Sequence, residues 1–181
     1  MEGLLLKLLE DDTGKPGFWF WKLFAPVRQD LDRLFWCFDS QPWMGAPPDF
    51  GENDVELFPG SGTTSIMLWR PGTLSRYASH FSEEYIDLWA IEPTQDNPSQ
   101  AAGQYCASTW SVDVVGQRAR ARLIYTDSTC WEIFAHKEAI LNRVRDNVAG
   151  KPWVEVYKTK STQRGWAFGM AGLSEIWQRM K

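Results

Sequence analysis

Alternating apolar and polar positions between residues 105 and 134 predict three consecutive β-strands. Gly116 and Gln117 separate the first two strands, and glycine accepts the positive φ that a two-residue type I′ or II′ turn requires. A third strand follows Asp127 and Ser128. The resulting register pairs Val112 with Ala121, Trp110 with Leu123, Asp113 with Arg120 and Ser111 with Arg122. The segment is therefore predicted to be the central meander of an antiparallel sheet, at about residues 105–135.

Because side chains alternate between the two faces of a strand, this hairpin has an apolar face and a charged face. The apolar face is predicted to pack on the core, and it consists of Trp110, Val112, Val114, Ala119, Ala121 and Leu123. The opposite face is predicted to be wet and carries an arginine stripe, which consists of Arg118, Arg120 and Arg122. The stripe is either a solvated surface neutralised by Asp113 and nearby acids or a patch for an anionic ligand or acidic partner, because guanidinium groups bind such groups in a bidentate manner.

Two segments have the apolar spacing of an amphipathic helix. Pro26 suits a first helical turn, and the helix that it begins is predicted to end near Asp39. Its apolar side chains are Val27, Leu31, Leu34, Phe35 and Phe38. Residues 137–148 predict a second helix, which Gly150 is placed to terminate. The buried side of that helix consists of Ile140, Leu141, Val144 and Val148.

The remaining elements are shorter. Residues 4–9 and 18–24 are apolar runs separated by turn-forming residues, which favours a β-hairpin, with a short helix as the alternative for the first run. Strands are also predicted at residues 55–58, 65–69, 85–91 and 154–157, and short helices at residues 74–81 and 173–180. Together these elements predict a single α+β domain over residues 1–181, with an antiparallel sheet of about five to seven strands and helices packed on one face.

Composition narrows the possible functions. The 181 residues suffice for one domain with a substantial core, and 44% hydrophobic with 23% charged residues is typical of a globular chain. The net charge of -4 argues against nucleic-acid binding, which relies on a basic surface. We find no signal-peptide pattern and no apolar run near the ~20 residues of a membrane span. Cytoplasmic localisation without a membrane partner is therefore expected.

Motifs for catalysis or metal binding are not found. The glycine-rich run at residues 59–64 lacks the lysine of a phosphate loop, and Pro59 occupies the first glycine position of a G-x-S-x-G elbow. Cys37, Cys106 and Cys130 show no C-x-x-C spacing, and the two histidines are remote from each other. We therefore predict no catalytic residue, no metal and no cofactor, and we interpret the cysteines as buried thiols.

The eleven tryptophans are the outlier in composition. Trp131 is predicted to be in or near the core together with Trp110, Trp153 and Trp177, whereas the other seven cannot all be buried. Exposed aromatic residues are enriched at binding hot spots, and Trp43 lies in a proline-rich loop. Two clusters of acidic residues, at 49–56 and 83–96, are predicted to attract a basic partner. The predicted partner-binding residues are Trp43, Asp49, Glu52, Asp54, Glu56, Glu83, Glu84, Asp87, Arg118, Arg120 and Arg122.

These residues allow two functions. The first is a protein-binding module without catalytic activity, whose partner is another protein. The second is a small enzyme or carbohydrate-binding protein with a Trp-lined cleft, because two carboxylates in a cleft can hydrolyse a glycosidic bond.

A resemblance favours the first function. Residues 123–134, which lead directly into the helix at 137–148, resemble the closing strand-turn-strand-helix of small bacterial α+β proteins, among them immunity proteins that neutralise toxins by binding them. The resemblance covers about a fifth of the chain. It implies a stoichiometric inhibitor without catalysis, and it assigns no functional residue. With the acidic residues, the expected partner is a basic toxin domain, which the chain would neutralise by occlusion.

Overall fold

The computed structural model describes residues 1–9, 15–38, 47–59, 65–91, 119–126 and 129–160. The strands are β1 (Glu2–Leu8), β2 (Phe35–Phe38), β3 (Val55–Pro59), β4 (Ser65–Trp69), β5 (Ile86–Ile91), β6 (Ala121–Thr126), β7 (Cys130–Ala135) and β8 (Val154–Lys160). The helices are α1 (Pro16–Phe24), α2 (Arg28–Asp32), α3 (Thr73–Tyr77) and α4 (Glu138–Val148), with 3-10 turns at Ala25–Val27 and Ala78–His80.

All strand pairs in the sheet are antiparallel, and the strand order is β3-β4-β2-β5-β6-β7-β1-β8. The α+β class and the antiparallel sheet are therefore confirmed. The described chain forms eight strands, one more than the upper end of the predicted range.

One face of the sheet packs against the helices. Alternate residues of β6 and β7, such as Leu123 and Ile133, are fully buried in the same hydrophobic cluster as Phe20 of α1 and Val144 of α4. Residues of α2 and α3 join this cluster. The described helices thus cover one face, as predicted. The predicted α4 is also confirmed, because its four apolar residues at helical spacing are all buried.

The predicted pairing of the central meander is wrong in one part. β6 is flanked by β5 and β7, so Leu123 lies opposite Leu88 on one side and Ile133 on the other. Both edges of β6 are therefore occupied, and its predicted pairing with residues 110–113 is excluded. The hairpin formed by β6 and β7 is confirmed. The predicted turn at Gly116 and Gln117 lies outside the described residues.

The segment at residues 16–24 is a helix and not the predicted strand. Pro16 occupies the first turn of α1, where its missing N–H is not needed. Three aromatic residues of α1, Trp19, Phe20 and Phe24, are buried, and this burial outweighs their preference for strands. β1 is a strand, but its neighbours are β7 and β8.

Gly17 permits a close contact between α1 and the 3-10 turn at Ala78–His80. A Cβ atom at position 17 would collide with the backbone carbonyl of Ser79. The Gly17 N–H donates a hydrogen bond to the Phe81 carbonyl at 3.1 Å. The start of α1 is therefore fixed against the segment that precedes β5.

The helix predicted to end near Asp39 is wrong in its second half. The last turn of α2 closes with a hydrogen bond from the Leu34 N–H to the Leu31 carbonyl, and the Trp36 indole donates to the same carbonyl at 2.9 Å. Residues 35–38 then form β2 between β4 and β5. Leu34, Phe35 and Trp36 are all buried, and such a continuous apolar run suits a strand that is covered on both faces.

The shorter elements lie close to their predicted positions. β3, β4, β5 and β8 confirm the four predicted strands, and the helix predicted at residues 74–81 is α3 with the 3-10 turn that follows it. Gly150 has the positive φ of 71° that ends α4. The helix predicted at residues 173–180 lies outside the described residues.

Candidate binding surface

The structure separates the predicted acidic residues into two kinds. Asp49, Glu52 and Glu84 are exposed and Glu83 is half-buried, whereas Asp54 and Asp87 are buried. Glu56 belongs to β3, but its side chain is not described. Trp43 and Arg118 lie outside the described residues.

Asp54 has a structural position and is not part of an exposed acidic patch. Its carboxylate accepts hydrogen bonds from the Tyr77 hydroxyl at 2.9 Å, the Gly51 N–H at 3.2 Å and the Arg76 guanidinium at 2.5 Å. Its carbonyl accepts further hydrogen bonds from the Thr73 hydroxyl and the Arg70 N–H. These bonds attach residues 47–54 to α3, so the prediction that Asp54 binds a partner directly is not supported by its geometry.

Tyr77 completes this attachment. Its single hydroxyl hydrogen is shared between the Asp54 carboxylate and the Asp49 carbonyl, which lies 2.7 Å from the hydroxyl oxygen, and its ring packs edge-on against Phe50 with centroids 5.3 Å apart. Burial, together with the neighbouring Asp54 carboxylate, raises the pKa of Tyr77 above its ordinary value, although the Arg76 guanidinium acts in the opposite direction. Asp49 has a positive φ of 31°, which is uncommon for a residue with a side chain. The carboxylates of Asp49 and Glu52 are thus presented on a fixed loop.

Asp87 and Arg122 form a buried ion pair on the sheet face opposite the helices. The Arg122 Nε donates to one carboxylate oxygen at 2.8 Å and Nη2 donates to the other at 2.5 Å. The guanidinium also lies 4.1 Å from the ring centroid of Trp89, which is a cation–π distance. Burial alone would lower the pKa of Arg122, but the hydrogen bonds and charge of Asp87 raise it above the ordinary value.

This ion pair corrects the prediction of a wet arginine stripe. Only 18% of the Arg122 side chain and 2% of the Asp87 side chain are exposed. Arg120 is exposed. The sequence did not reveal the ion pair, because Asp87 and Arg122 are 35 residues apart in the chain and meet only where β5 pairs with β6.

Most of the described tryptophans belong to the interior. Trp19, Trp36, Trp69, Trp89 and Trp131 are buried, and Trp21 and Trp153 are half-buried. Trp131 contacts Phe20 with ring centroids 5.2 Å apart and Phe81 at 6.4 Å. The prediction for Trp131 is confirmed. The buried indoles lend no support to a sugar-binding cleft lined by these tryptophans.

An apolar patch lies where α1 begins and β1 ends. We call Leu9, Phe18, Trp19, Lys22 and Trp153 the aromatic patch. Phe18 is 47% exposed and Leu9 is 49% exposed. The Leu9 N–H donates to the Trp153 carbonyl at 2.9 Å, and the Trp19 ring packs on Trp153 with centroids 5.0 Å apart. The Phe18 ring meets Trp19 edge-on at 5.2 Å.

Lys22 holds the exposed ring of this patch. Its ammonium nitrogen lies 3.8 Å from the Phe18 ring centroid and 4.4 Å from that of Trp19. These are cation–π distances, and such contacts favour this orientation of the Phe18 ring. Phe18 is therefore an exposed aromatic side chain in a defined orientation.

An acidic segment adjoins the aromatic patch. The hydrogen bond from Gly17 to Phe81 brings the start of α1 next to residues 82–85. Glu84 and Tyr85 are exposed there, Tyr85 by 53%, and Glu83 is half-buried. We call the aromatic patch together with Glu83, Glu84 and Tyr85 the binding surface. Glu83 and Glu84 were predicted from the sequence, but Phe18 was missed because residues 18–24 were assigned to a strand. Pro16 was the signal that could have indicated the helix.

Comparisons with protein-family models, with curated proteins and with solved structures found no significant match to this chain. Within the described ranges, no helix is long and apolar enough to cross a membrane. In the same part of the chain, no group of three or more His, Cys, Asp or Glu side chains could hold a metal ion. The Cys130 side chain is buried.

Proposed function

We propose that this chain is a cytoplasmic, non-enzymatic protein-binding module that uses the binding surface to hold a partner with an apolar and basic surface. The single observation that carries the proposal is the exposed Phe18 ring, which packs against Trp19 and Lys22. The preceding residue, Gly17, is hydrogen-bonded to Phe81, two residues before Glu83. Other large exposed apolar side chains of the described chain include Tyr157, which is 42% exposed and has its hydroxyl bonded to Glu155.

The geometry of Phe18 suits a hot spot. An aromatic ring buries a large area on binding, and a ring that is already oriented loses little conformational entropy. Leu9 and Trp153 extend the apolar area around the ring. The aromatic patch therefore supplies the apolar centre that a protein interface needs, and its edge is polar.

The acidic residues select the charge of the partner. Glu83 and Glu84 follow directly on the segment that contacts α1, and the whole chain carries a net charge of -4. Acidic groups at the edge of an interface accelerate association with a basic partner and make the association rate sensitive to salt. A basic protein surface fits the binding surface better than an acidic one does.

Within this class, the proposed role is that of an immunity protein that neutralises a basic toxin domain by occlusion. Binding alone suffices for such a role, because no chemical step is required of the inhibitor. The resemblance at residues 123–134 and the fixed apolar and acidic binding surface support this form of the proposal.

Affinity capture tests the proposal. Tagged wild-type protein, Phe18→Ser and the control Tyr157→Ser are used as baits in cells that carry the native gene, and bound proteins are quantified by mass spectrometry. We expect one dominant basic partner with the wild type and Tyr157→Ser, and its loss with Phe18→Ser. Equal capture by all three baits, or no stoichiometric partner with any bait, would overturn the proposal.

A further inference from the structure

A second site lies at the beginning of α4. A pocket of about 230 Å³ opens there, and its lining residues are Asp30, Arg33, Leu34, Arg120, His136, Lys137 and Ile140. The pocket shares none of its residues with the binding surface.

The walls of the pocket are fixed by backbone hydrogen bonds. The Arg120 N–H donates to the Ala90 carbonyl at 2.8 Å, and the His136 N–H donates to the Arg120 carbonyl at 3.2 Å. The Ile140 N–H donates to the Lys137 carbonyl at 3.0 Å. Leu34 and Ile140 are each 5% exposed and contribute an apolar wall.

The charge of the lining is strongly positive. Arg33 and Lys137 line the pocket, and the one carboxylate among its described lining residues is that of Asp30. Arg143 donates to this carboxylate at 2.5 Å, and Arg33 lies 3.6 Å from its other oxygen. Arg143 also donates to the Pro26 carbonyl at 3.1 Å, so its pairing with Asp30 is part of the wall. Among the described side chains at the pocket, the positive charges of Arg33, Lys137 and Arg143 therefore exceed the negative charge of Asp30, in a chain whose net charge is -4.

We propose that this pocket binds a phosphate group. Guanidinium groups form bidentate hydrogen bonds with phosphate oxygens, and lysine adds a mobile positive charge. A dianion matches an excess of positive charge better than a carboxylate does. The volume lies below the ~300 to 1,000 Å³ of pockets that enclose a drug-sized molecule. The proposed ligand is therefore inorganic phosphate or the phosphate group of a small phosphomonoester.

Calorimetric titration at low ionic strength tests this site with two probes, inorganic phosphate and O-phosphoserine. We expect saturable 1:1 binding, with affinity at least about tenfold lower in Arg33→Gln/Lys137→Gln, since a charge-assisted hydrogen bond contributes that much or more. The control Lys151→Gln/Lys160→Gln removes two exposed charges outside the pocket lining and should bind within about twofold of the wild type.

The two probes distinguish the source of the phosphate. Tighter binding of O-phosphoserine supports a phosphomonoester whose organic part contacts Leu34 and Ile140, and equal binding supports inorganic phosphate. Both substituted side chains are exposed, and circular dichroism of each variant checks that it is folded. Absence of saturable binding for both probes, or equal affinity of the folded pocket variant and the wild type, would overturn the site. Neither result bears on the aromatic patch.

Discussion

The Arg122 guanidinium donates hydrogen bonds to both carboxylate oxygens of Asp87, across two neighbouring strands of the sheet. Because the Asp87 side chain is only 2% exposed, loss of its partner leaves a buried charge uncompensated. We expect Arg122→Met to lower the free energy of unfolding by about 3–5 kcal/mol. Urea unfolding monitored by tryptophan fluorescence measures this change.

The control for this prediction removes both charges. In Asp87→Leu/Arg122→Met no ion is left unpaired, so most of the lost stability should return. If the double variant is as unstable as the sum of the two single variants, the two residues act independently and the ion pair does not explain the loss.

Tyr77 makes stability depend on pH in the alkaline range. Its pKa is raised above the ordinary value of 10.0, so the folded protein holds the phenolic proton more tightly than the unfolded chain does. The stabilisation from this difference is fully present below pH 10.0 and declines as the pH rises toward the folded-state pKa. We expect the wild type to lose more stability than Tyr77→Phe between pH 9 and pH 11.

Urea unfolding at the two pH values measures that difference. Tyr77→Phe should itself be about 1–3 kcal/mol less stable at pH 8, because the hydrogen bonds to Asp49 and Asp54 are lost. An identical alkaline loss in the two proteins would show that the Tyr77 pKa is not raised by its surroundings.

Gly17 allows α1 to approach the Ser79 carbonyl. A methyl group at position 17 would force these backbones apart, so Gly17→Ala should lower the free energy of unfolding by about 1–3 kcal/mol. Gly51→Ala is the matched control, since a Cβ atom there meets no atom within 4 Å and the change should stay within about 0.5 kcal/mol. Thermal unfolding compares the two variants. Equal melting temperatures would contradict the close contact.

The spacing of apolar residues predicted those helices and strands whose buried residues recur at a single regular interval. α4 was predictable because its apolar residues recur at helical spacing, and β5 because Ile86, Leu88 and Ala90 recur at every second position. α1 was not predictable from its aromatic content, which favours a strand, and Pro16 in its first turn was the local signal for a helix.

Contacts between segments that are distant in the chain could not be predicted from the sequence. Neither the position of β5 beside β6 nor the ion pair of Asp87 and Arg122 has a signal in the local sequence. The same applies to Asp54, whose partner Tyr77 is 23 residues away. The acidic character of Glu83 and Glu84 was readable from the sequence. Their position near the start of α1 depends on a hydrogen bond between α1 and the segment before β5.

Site-specific photo-crosslinking in living cells tests the binding surface most directly. A benzoylphenylalanine residue replaces Phe18 in one variant and Tyr157, an exposed aromatic residue outside the binding surface, in the other. We predict a discrete crosslinked product with one basic protein from position 18 and none from position 157. A product from position 157 alone, or none from either position, would contradict the proposal that this surface binds a protein partner.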